Sequence, residues 1–488
     1  MTLSSPPDEL PGGLEKLEAR LKQDLSWLEL PAKTWVPERC VDNRTVRDVV
    51  IIGGGMAGLT ASGMLTRYGV QNHVVYDRAP AGREGPWVTY ARMETLRSPK
   101  TLTGPCLGLP SLTFRAWYES RFGVDAWAEL GFIPRETWME YLRWFRKVLD
   151  LPVENETELL DIRYRDDGLL DLLLRQQGRE ESVLARHLVL ATGRDGLGGG
   201  YMPEIFKALP PEFRAHSEDT INFEALRGRR VTVIGAGASA MDNAAAALEA
   251  GAARVDMLIR RKDIPRINKF TGIGSQGVVH GFQALPDAWK WRFLDYTLAA
   301  QTPPPRPSTL RVSKHPNAFF HLGCPVDAVA AEGDHLRVTT PRGVFETDFI
   351  IAATGFAVDI GQRPELKSIA PSIRFWKDRF TPASEDNPSG SLNPELELSP
   401  DLGPAFEFQP KEGVVCPALE KIHCFCFPAT LSHGKVSGDI PAISDGADRL
   451  AKGIVSSLFV EDRAIHYRNL EQFNTPELQG DEWQDIGF

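Results

Sequence analysis

The chain has 488 residues, 42% hydrophobic and 25% charged, the balance of an ordinary globular protein with room for two or three domains. A net charge of −10, with no basic cluster longer than Arg260-Arg261-Lys262, argues against a nucleic-acid partner, which needs a basic face. The start lacks the basic and apolar regions of a signal peptide, and no apolar run approaches the roughly 18 residues of a spanning helix, so a cytoplasmic protein without a membrane partner is expected.

Before the first strand, Leu14, Leu17, Leu21, Leu25 and Leu28 recur at helical spacing among Glu, Lys and Arg. Residues 1–47 are therefore read as an N-terminal helical extension. It either packs on the main body or joins copies in a homo-oligomer.

Val49 to Ile52 is a continuous apolar run, as a parallel strand buried on both faces requires. It leads into Gly53-Gly-Gly55-Met56-Ala57-Gly58 and a helix-like stretch. In such a turn Gly53 permits the tight bend, Gly55 lets the backbone approach a pyrophosphate, and Gly58 allows close helix–strand packing. The helix N-terminus at Met56 and Ala57 then offers free N–H groups to phosphate. Asp77 ends the second strand, 19 residues beyond Gly58, where a carboxylate can accept both ribose hydroxyls; Arg78 adjoins it.

This first dinucleotide unit is expected to occupy 48–197. It includes a helix from Glu136 to Leu149, with Trp138, Tyr141, Leu142 and Phe145 on one face, and strands closing at Leu188-Val-Leu-Ala-Thr192-Gly193. A glycine- and proline-rich linker over 194–229 precedes the second unit, placed at 198–348.

There Gly235, Gly237, Ser239 and Ala240 repeat the pattern after Val231-Thr-Val-Ile234, alanine being the allowed third small residue. After the strand near Arg254–Ile259, Arg260, Arg261 and Lys262 stand where an acid would bind a ribose. Guanidinium groups pair with a 2′-phosphate, so NADPH is favoured over NADH.

Residues 263–322 carry prolines and aromatics without clear period. A further apolar run closes in Ala353-Thr354-Gly355, and 349–488 are expected to return to the first domain, with an irregular excursion over 365–415. Ile422–Phe427 reads as a buried strand in which Cys424 and Cys426 are core residues. Six cysteines and ten histidines show neither a disulfide framework nor metal-ligand spacing, so no metal is expected. A turn at Gly438-Asp439 precedes a helix-like run to Phe459.

Two glycine turns of this kind, each between a strand and a helix, suit electron transfer between two dinucleotides. The arrangement resembles the two-dinucleotide-binding-domain flavoproteins, and within them the flavin-containing (class B) monooxygenases, over most of residues 48–460. That resemblance implies an α/β fold of two Rossmann-like domains, an NADPH domain inserted into a discontinuous FAD domain. Each Ala-Thr-Gly turn, at Thr192-Gly193 and Thr354-Gly355, would tie a unit back to the FAD domain. Gly85-Pro-Trp87 looks like the family's turn beside the flavin, with Met93 to Ser98 along the isoalloxazine edge. Gly438-Asp439 looks like the late turn whose acid accepts a ribityl hydroxyl, although a simple capping role for Asp439 stays open.

The resemblance further implies an FAD-dependent NADPH oxidoreductase acting on a small-molecule substrate and O2, in which reduced flavin holds oxygen as a C4a-hydroperoxide. Candidate pocket groups are Arg97, Asn268, Lys269 and His433. His216 matches the histidine of the family fingerprint, but Pro210 and Glu212 replace its phenylalanine and glycine, and Thr220 replaces the Baeyer–Villiger tryptophan. Oxygenation at nitrogen or sulfur is therefore expected, and Ser432-His-Gly434 resembles segments of amine N-hydroxylases. A Baeyer–Villiger enzyme, an NADPH-dependent flavin reductase or oxidase, and a non-catalytic nucleotide sensor are the alternatives.

Overall fold

Four consecutive apolar residues can be satisfied only by a strand covered on both faces, and Arg47–Ile52 lies inside a seven-stranded sheet with Val49, Val50 and Ile51 fully buried. The computed structural model describes residues 7–390 and 393–487. In it the strand order is Val153–Glu154, His73–Tyr76, Arg47–Ile52, Arg179–Leu190, Leu170–Gln176 and Thr157–Tyr164. Ile422–Cys424 adds a parallel strand beside the end of Arg179–Leu190. The late segment thus completes the first sheet. The helix Ile443–Glu461 packs along Met56–Arg67. Below it the fully buried Arg186 pairs with Glu461 (2.9 Å), Asp462 (2.8 Å) and Asp48 (3.5 Å).

The second sheet has five parallel strands in the order Arg214–His216, Phe349–Ala352, Arg230–Ile234, Arg254–Ile259, Ala318–Leu322. One sequence boundary shifts as a result, and one strand comes from a stretch without strand signal. Arg214–His216 comes from what reads as linker, and Phe349–Ala352, assigned to the returning segment, is an interior strand of the second sheet. A run that apolar must first pair within a sheet before the chain can leave it. The chain crosses between the two sheets on an antiparallel ribbon, Gly198–Gly200 against Phe356–Val358.

The segments without readable period form a third body. Helix Asp287–Ala300 buries Trp291 and Leu294 beside Lys290 and Asp295, and this mixed face hides the apolar stripe from the sequence. Phe282, Trp291 and Leu294 pack with Trp376, Leu396 and Leu431. The excursion over 365–415 is therefore anchored: Leu366, Ile373, Phe406 and Phe408 join the main core.

The N-terminal helix spans Gly13–Trp27 and buries Leu17 and Leu21 against the chain's own helix Phe114–Phe122; Leu28 lies beyond it and is exposed. The six cysteines are free, with the Cys424 and Cys426 sulfurs buried 3.4 Å apart. No helix among the described residues is long and apolar enough to cross a membrane.

Candidate active site

The two glycine turns are built alike. Gly53 (φ 107°) and Gly235 (φ 127°) have left-handed backbone, and a Cβ would lie 2.4 Å from the Ala191 carbonyl oxygen on the first and 2.6 Å from that of Ala353 on the second. The Ala191 N–H donates to Ile52 O (2.8 Å) and the Ala353 N–H to Ile234 O (3.0 Å). Each Ala-Thr-Gly turn thus backs directly onto a glycine turn. Gly58 is needed for packing, since a Cβ there would sit 1.8 Å from Gly53 O, and Ala240 is fully buried at the matching place.

Gly55 and Gly237 differ from these. A Cβ on Gly55 would meet nothing nearer than the Gly85 Cα at 3.7 Å, and one on Gly237 nothing within 4 Å. Gly237 faces open space and Gly55 only the Gly85 backbone, at the N-termini of Ala238–Glu249 and Met56–Arg67, where first-turn N–H groups without intrahelical acceptors form a cradle of the kind that suits a diphosphate. Met56 and Ala57 are nearly buried in the first helix turn, and Ser239 is exposed in the second. A cleft of about 420 Å³ adjoins the first cradle, lined among others by Gly54, Gly55, Glu84, Arg143 and Lys147. The basic last turns of helix Arg135–Val148 escaped the sequence reading because their placement here is tertiary.

Asp77 accepts from the Gly54 N–H (2.6 Å) and the Ala79 N–H (2.7 Å), which hold its carboxylate at the turn; burial raises its pKa. Arg78 is exposed beside it. Trp87 packs edge-on against Trp138 (6.2 Å), while its carbonyl accepts from Arg135 (2.7 Å). The Gly85–Trp87 loop closes over Gly55.

The threonines of both Ala-Thr-Gly turns bond locally. Thr192 Oγ1 donates to Gly196 O (3.1 Å) and Thr354 Oγ1 to Tyr201 O. Gly193 O accepts the Phe427 N–H (3.1 Å), and Gly355 O accepts the Tyr201 N–H (2.8 Å) with His216 Nε2 at 3.0 Å. His216 therefore joins the two interdomain links.

Gly438 and Asp439 are exposed, and Asp439 makes no side-chain cap to the turn Ile440–Ala442. Its carboxylate lies 4.0 Å from Lys435 Nζ and within the fields of Arg97 and Arg194. Arg97 donates to Pro303 O (2.9 Å), which ties it to the segment between the second and third bodies' helices, and Asp439 acts on it through space. Asn268 and Lys269 begin the turn Lys269–Ile273 without a capping bond, and the neighbouring Phe270 ring lies 4.5 Å from Lys435 Nζ.

His433 is different. It is fully buried, stacked on Phe406 at 3.8 Å, bonded through Nε2 to Gly403 O (2.9 Å) and placed 3.2 Å from Arg449 through Nδ1. Burial, aided by Arg449, holds its pKa down to about 3. It is a core histidine with no open face, which corrects the expectation of a pocket group.

In the second unit Arg260 is exposed at the end of its strand, Arg261 donates to Ala299 O (3.0 Å), and Lys262 is exposed.

Sequence reasoning missed Arg194 and Tyr90. Arg194 directly follows Ala191-Thr-Gly193, which was the available signal. Its guanidinium lies 3.3 Å over the Phe427 ring and 5.8 Å from Phe356, the first residue of the returning link. Tyr90 stands nearby, its hydroxyl pKa pushed up by burial, then by Asp195 and Glu218.

A urate hydroxylase of Xanthomonas campestris pv. campestris, described as FAD-dependent, is 39% identical over 451 residues, covering 92% of this chain and 94% of that one. The chain belongs to the flavin monooxygenase family. This flavoprotein is an FAD-dependent oxidoreductase, and its residues 47–97, spanning the first glycine turn, match the FAD binding domain family. Residues 120–295 match the family described as L-lysine 6-monooxygenase/L-ornithine 5-monooxygenase. The ornithine hydroxylase of Pseudomonas aeruginosa shares the fold with a TM-score of 0.66 at 16% identity, covering 85% of this chain and 100% of that one. The ornithine N-hydroxylase of Kutzneria sp. 744, solved with reduced FAD, NADP+ and ornithine, does so with a TM-score of 0.62 at 18% identity, covering 86% and 100%.

Proposed function

We propose that this monooxygenase hydroxylates a planar, anionic purine of the urate type, with NADPH as electron donor. The observation that carries this reading is the identity to a urate hydroxylase along nearly the whole of both chains. Two cations support it. Arg97, bonded to Pro303 O and within the field of Asp439, and Lys435, beside Asp439 and the Phe270 ring, lie near one another through Asp439, and an ionised ring needs such cations. Arg260 and its basic neighbours support NADPH, as does the shared fold of an enzyme solved with NADP+.

FAD held at Gly53–Gly58, Asp77 and Asp439 supplies, once reduced, the activation of dioxygen. The chain's own part is placement. The helix N-terminus at Met56 would bind its diphosphate, Asp77 would accept ribose hydroxyls, and Asp439 would accept from the ribityl chain.

The sequence favours nitrogen or sulfur as oxygen acceptor, whereas the near-full-length relative moves the reading to a purine ring. Amine N-oxygenation is the second reading, supported by the family match over 120–295. The test supplies isotope-labelled dioxygen and NADPH with urate, lysine or ornithine. Label in a urate product supports the first reading, and label in a hydroxylamine with urate untouched supports the second. Release of all oxygen as hydrogen peroxide with every substrate refutes both.

A further inference from the structure

Arginine stays charged at neutral pH, and one that a bound ligand would cover calls for an anion on that ligand. Most arginines near the cleft have partners: Arg97 bonds Pro303 O, Arg135 the carbonyls of Trp87 and Ala91, and Arg92 those of Tyr90, Ser217 and Asp219. Arg194 is exposed to solvent and differs from these. Among the described residues no hydrogen bond and no ion pair engages its N–H groups, and its contacts are ring faces, Phe427 at 3.3 Å and Phe356 at 5.8 Å. Glu395 of the third body, Asp439 and Tyr90 act on it through space without pairing. Stacking on a ring uses the face of a guanidinium and leaves its edge, a fork of N–H donors, free.

Position narrows the choice of anion. Arg194 follows the turn that backs onto the first diphosphate cradle, so it lies on the FAD side of the ribbon Gly198–Gly200/Phe356–Val358. The 2′-phosphate of NADPH is expected at Arg260, at the far end of a strand of the second sheet. Glu395 belongs to the short helix Pro394–Glu397, in the body whose segments carry no dinucleotide turn. Arg194 therefore stands where the FAD half, the returning link and the third body converge. Tyr90 adds a hydroxyl with no hydrogen-bond partner among the described residues, within the field of Arg194.

We propose that Arg194 is the residue that selects an anionic substrate, its guanidinium edge donating to the ionised, oxygen-bearing edge of a planar ring while Phe427 holds the guanidinium plane fixed. This rests on the reading of the enzyme as a hydroxylase of anionic purines, but it is testable apart from it. A neutral ring of the same shape would leave the cation unanswered and bind less tightly.

The FAD-loaded enzyme is titrated with urate, and separately with salicylate as an unrelated planar anion, following the flavin absorbance. Arg194→Gln and Arg194→Lys are compared with the unaltered chain, together with FAD content and the KM for NADPH. The expected result is at least about tenfold weaker urate binding in Arg194→Gln, partial recovery in Arg194→Lys, FAD content unchanged, and a much smaller change in the KM for NADPH. Urate binding by Arg194→Gln equal to that of the unaltered chain overturns the proposal. So does loss of FAD, or a rise in the KM for NADPH as large as the loss of urate binding, since the arginine would then serve a cofactor. Salicylate binding that depends on Arg194, with no urate binding, keeps the anion site and removes the urate reading. Binding of neither anion by the unaltered chain overturns the proposal.

Discussion

Replacing Gly55 with valine separates cofactor binding from folding. Its backbone is extended (φ −73°, ψ −172°), a conformation valine adopts without strain, and a Cβ there meets only Gly85 at 3.7 Å. In the absence of FAD the substitution should cost at most about 1 kcal/mol, the difference between glycine and a β-branched residue before a helix. The branched side chain would nevertheless fill the space in which diphosphate meets the helix N-terminus. Losing two charge-assisted N–H contacts, each contributing about 1.5–3 kcal/mol, removes about 3–6 kcal/mol. FAD affinity should then fall roughly 10²- to 10⁴-fold.

Gly58→Val is the control. Its Cβ would sit 1.8 Å from Gly53 O, so the fold itself should fail. The assay measures released FAD per chain and the thermal midpoint of the FAD-free protein. Gly55→Val should purify colourless with an FAD-free midpoint near that of the unaltered chain. A yellow Gly55→Val with full FAD content would refute the cradle, and an FAD-free form as unstable as Gly58→Val would refute the separation of roles.

Arg260→Ala should raise the KM for NADPH at least about tenfold, the loss of about 1.5–3 kcal/mol of contact with the 2′-phosphate, and leave NADH nearly unchanged; equal losses would make the arginine structural. Acid should also destabilise the fold. His73 and His423 are held down to about 4 and His433 to about 3, with His187 well below its usual range, all by burial. As pH falls through about 6.5 the unfolded chain takes up protons at these four sites that the folded chain refuses until its own lower pKa values are reached, so stability falls as pH falls. Asp48, raised by burial to about 6, acts in the opposite sense, as do Asp77, Glu218, Asp242 and Glu407, whose carboxyls burial also raises. The four histidines act first as pH falls, because their unfolded-state pKa of about 6.5 lies above the carboxyl range, so stability declines from about pH 6.5 toward 5. A urea midpoint flat from pH 6.5 to 5 would contradict it.

Local backbone demands are written in the sequence. The glycines at 53, 58 and 235 answer contacts within a strand–turn–helix unit, and the run before each turn must be a covered strand, so both units were legible from a few adjacent residues. The Ala-Thr-Gly tripeptides were legible as a pair, because each follows an apolar run that closes a sheet. Helix Arg135–Val148 showed its apolar face at regular spacing.

What tertiary structure alone decided involves residues far apart in the chain. Phe349–Ala352 reads equally well as a strand of either sheet, and only its pairing with Arg230–Ile234 assigns it. The third body is hidden because Asp287–Ala300 buries charged and apolar groups on one face, and its partners Trp376, Leu396 and Leu431 come from more than 70 residues away. His433 shows the same limit. A histidine beside a glycine carries no mark of burial, and it is Phe406, Gly403 and Arg449, brought in by packing, that seal it and keep it neutral. Arg194 is the converse, an ordinary residue in sequence that the meeting of three bodies leaves charged and unpaired, because no local pattern records which carbonyls a long side chain fails to reach.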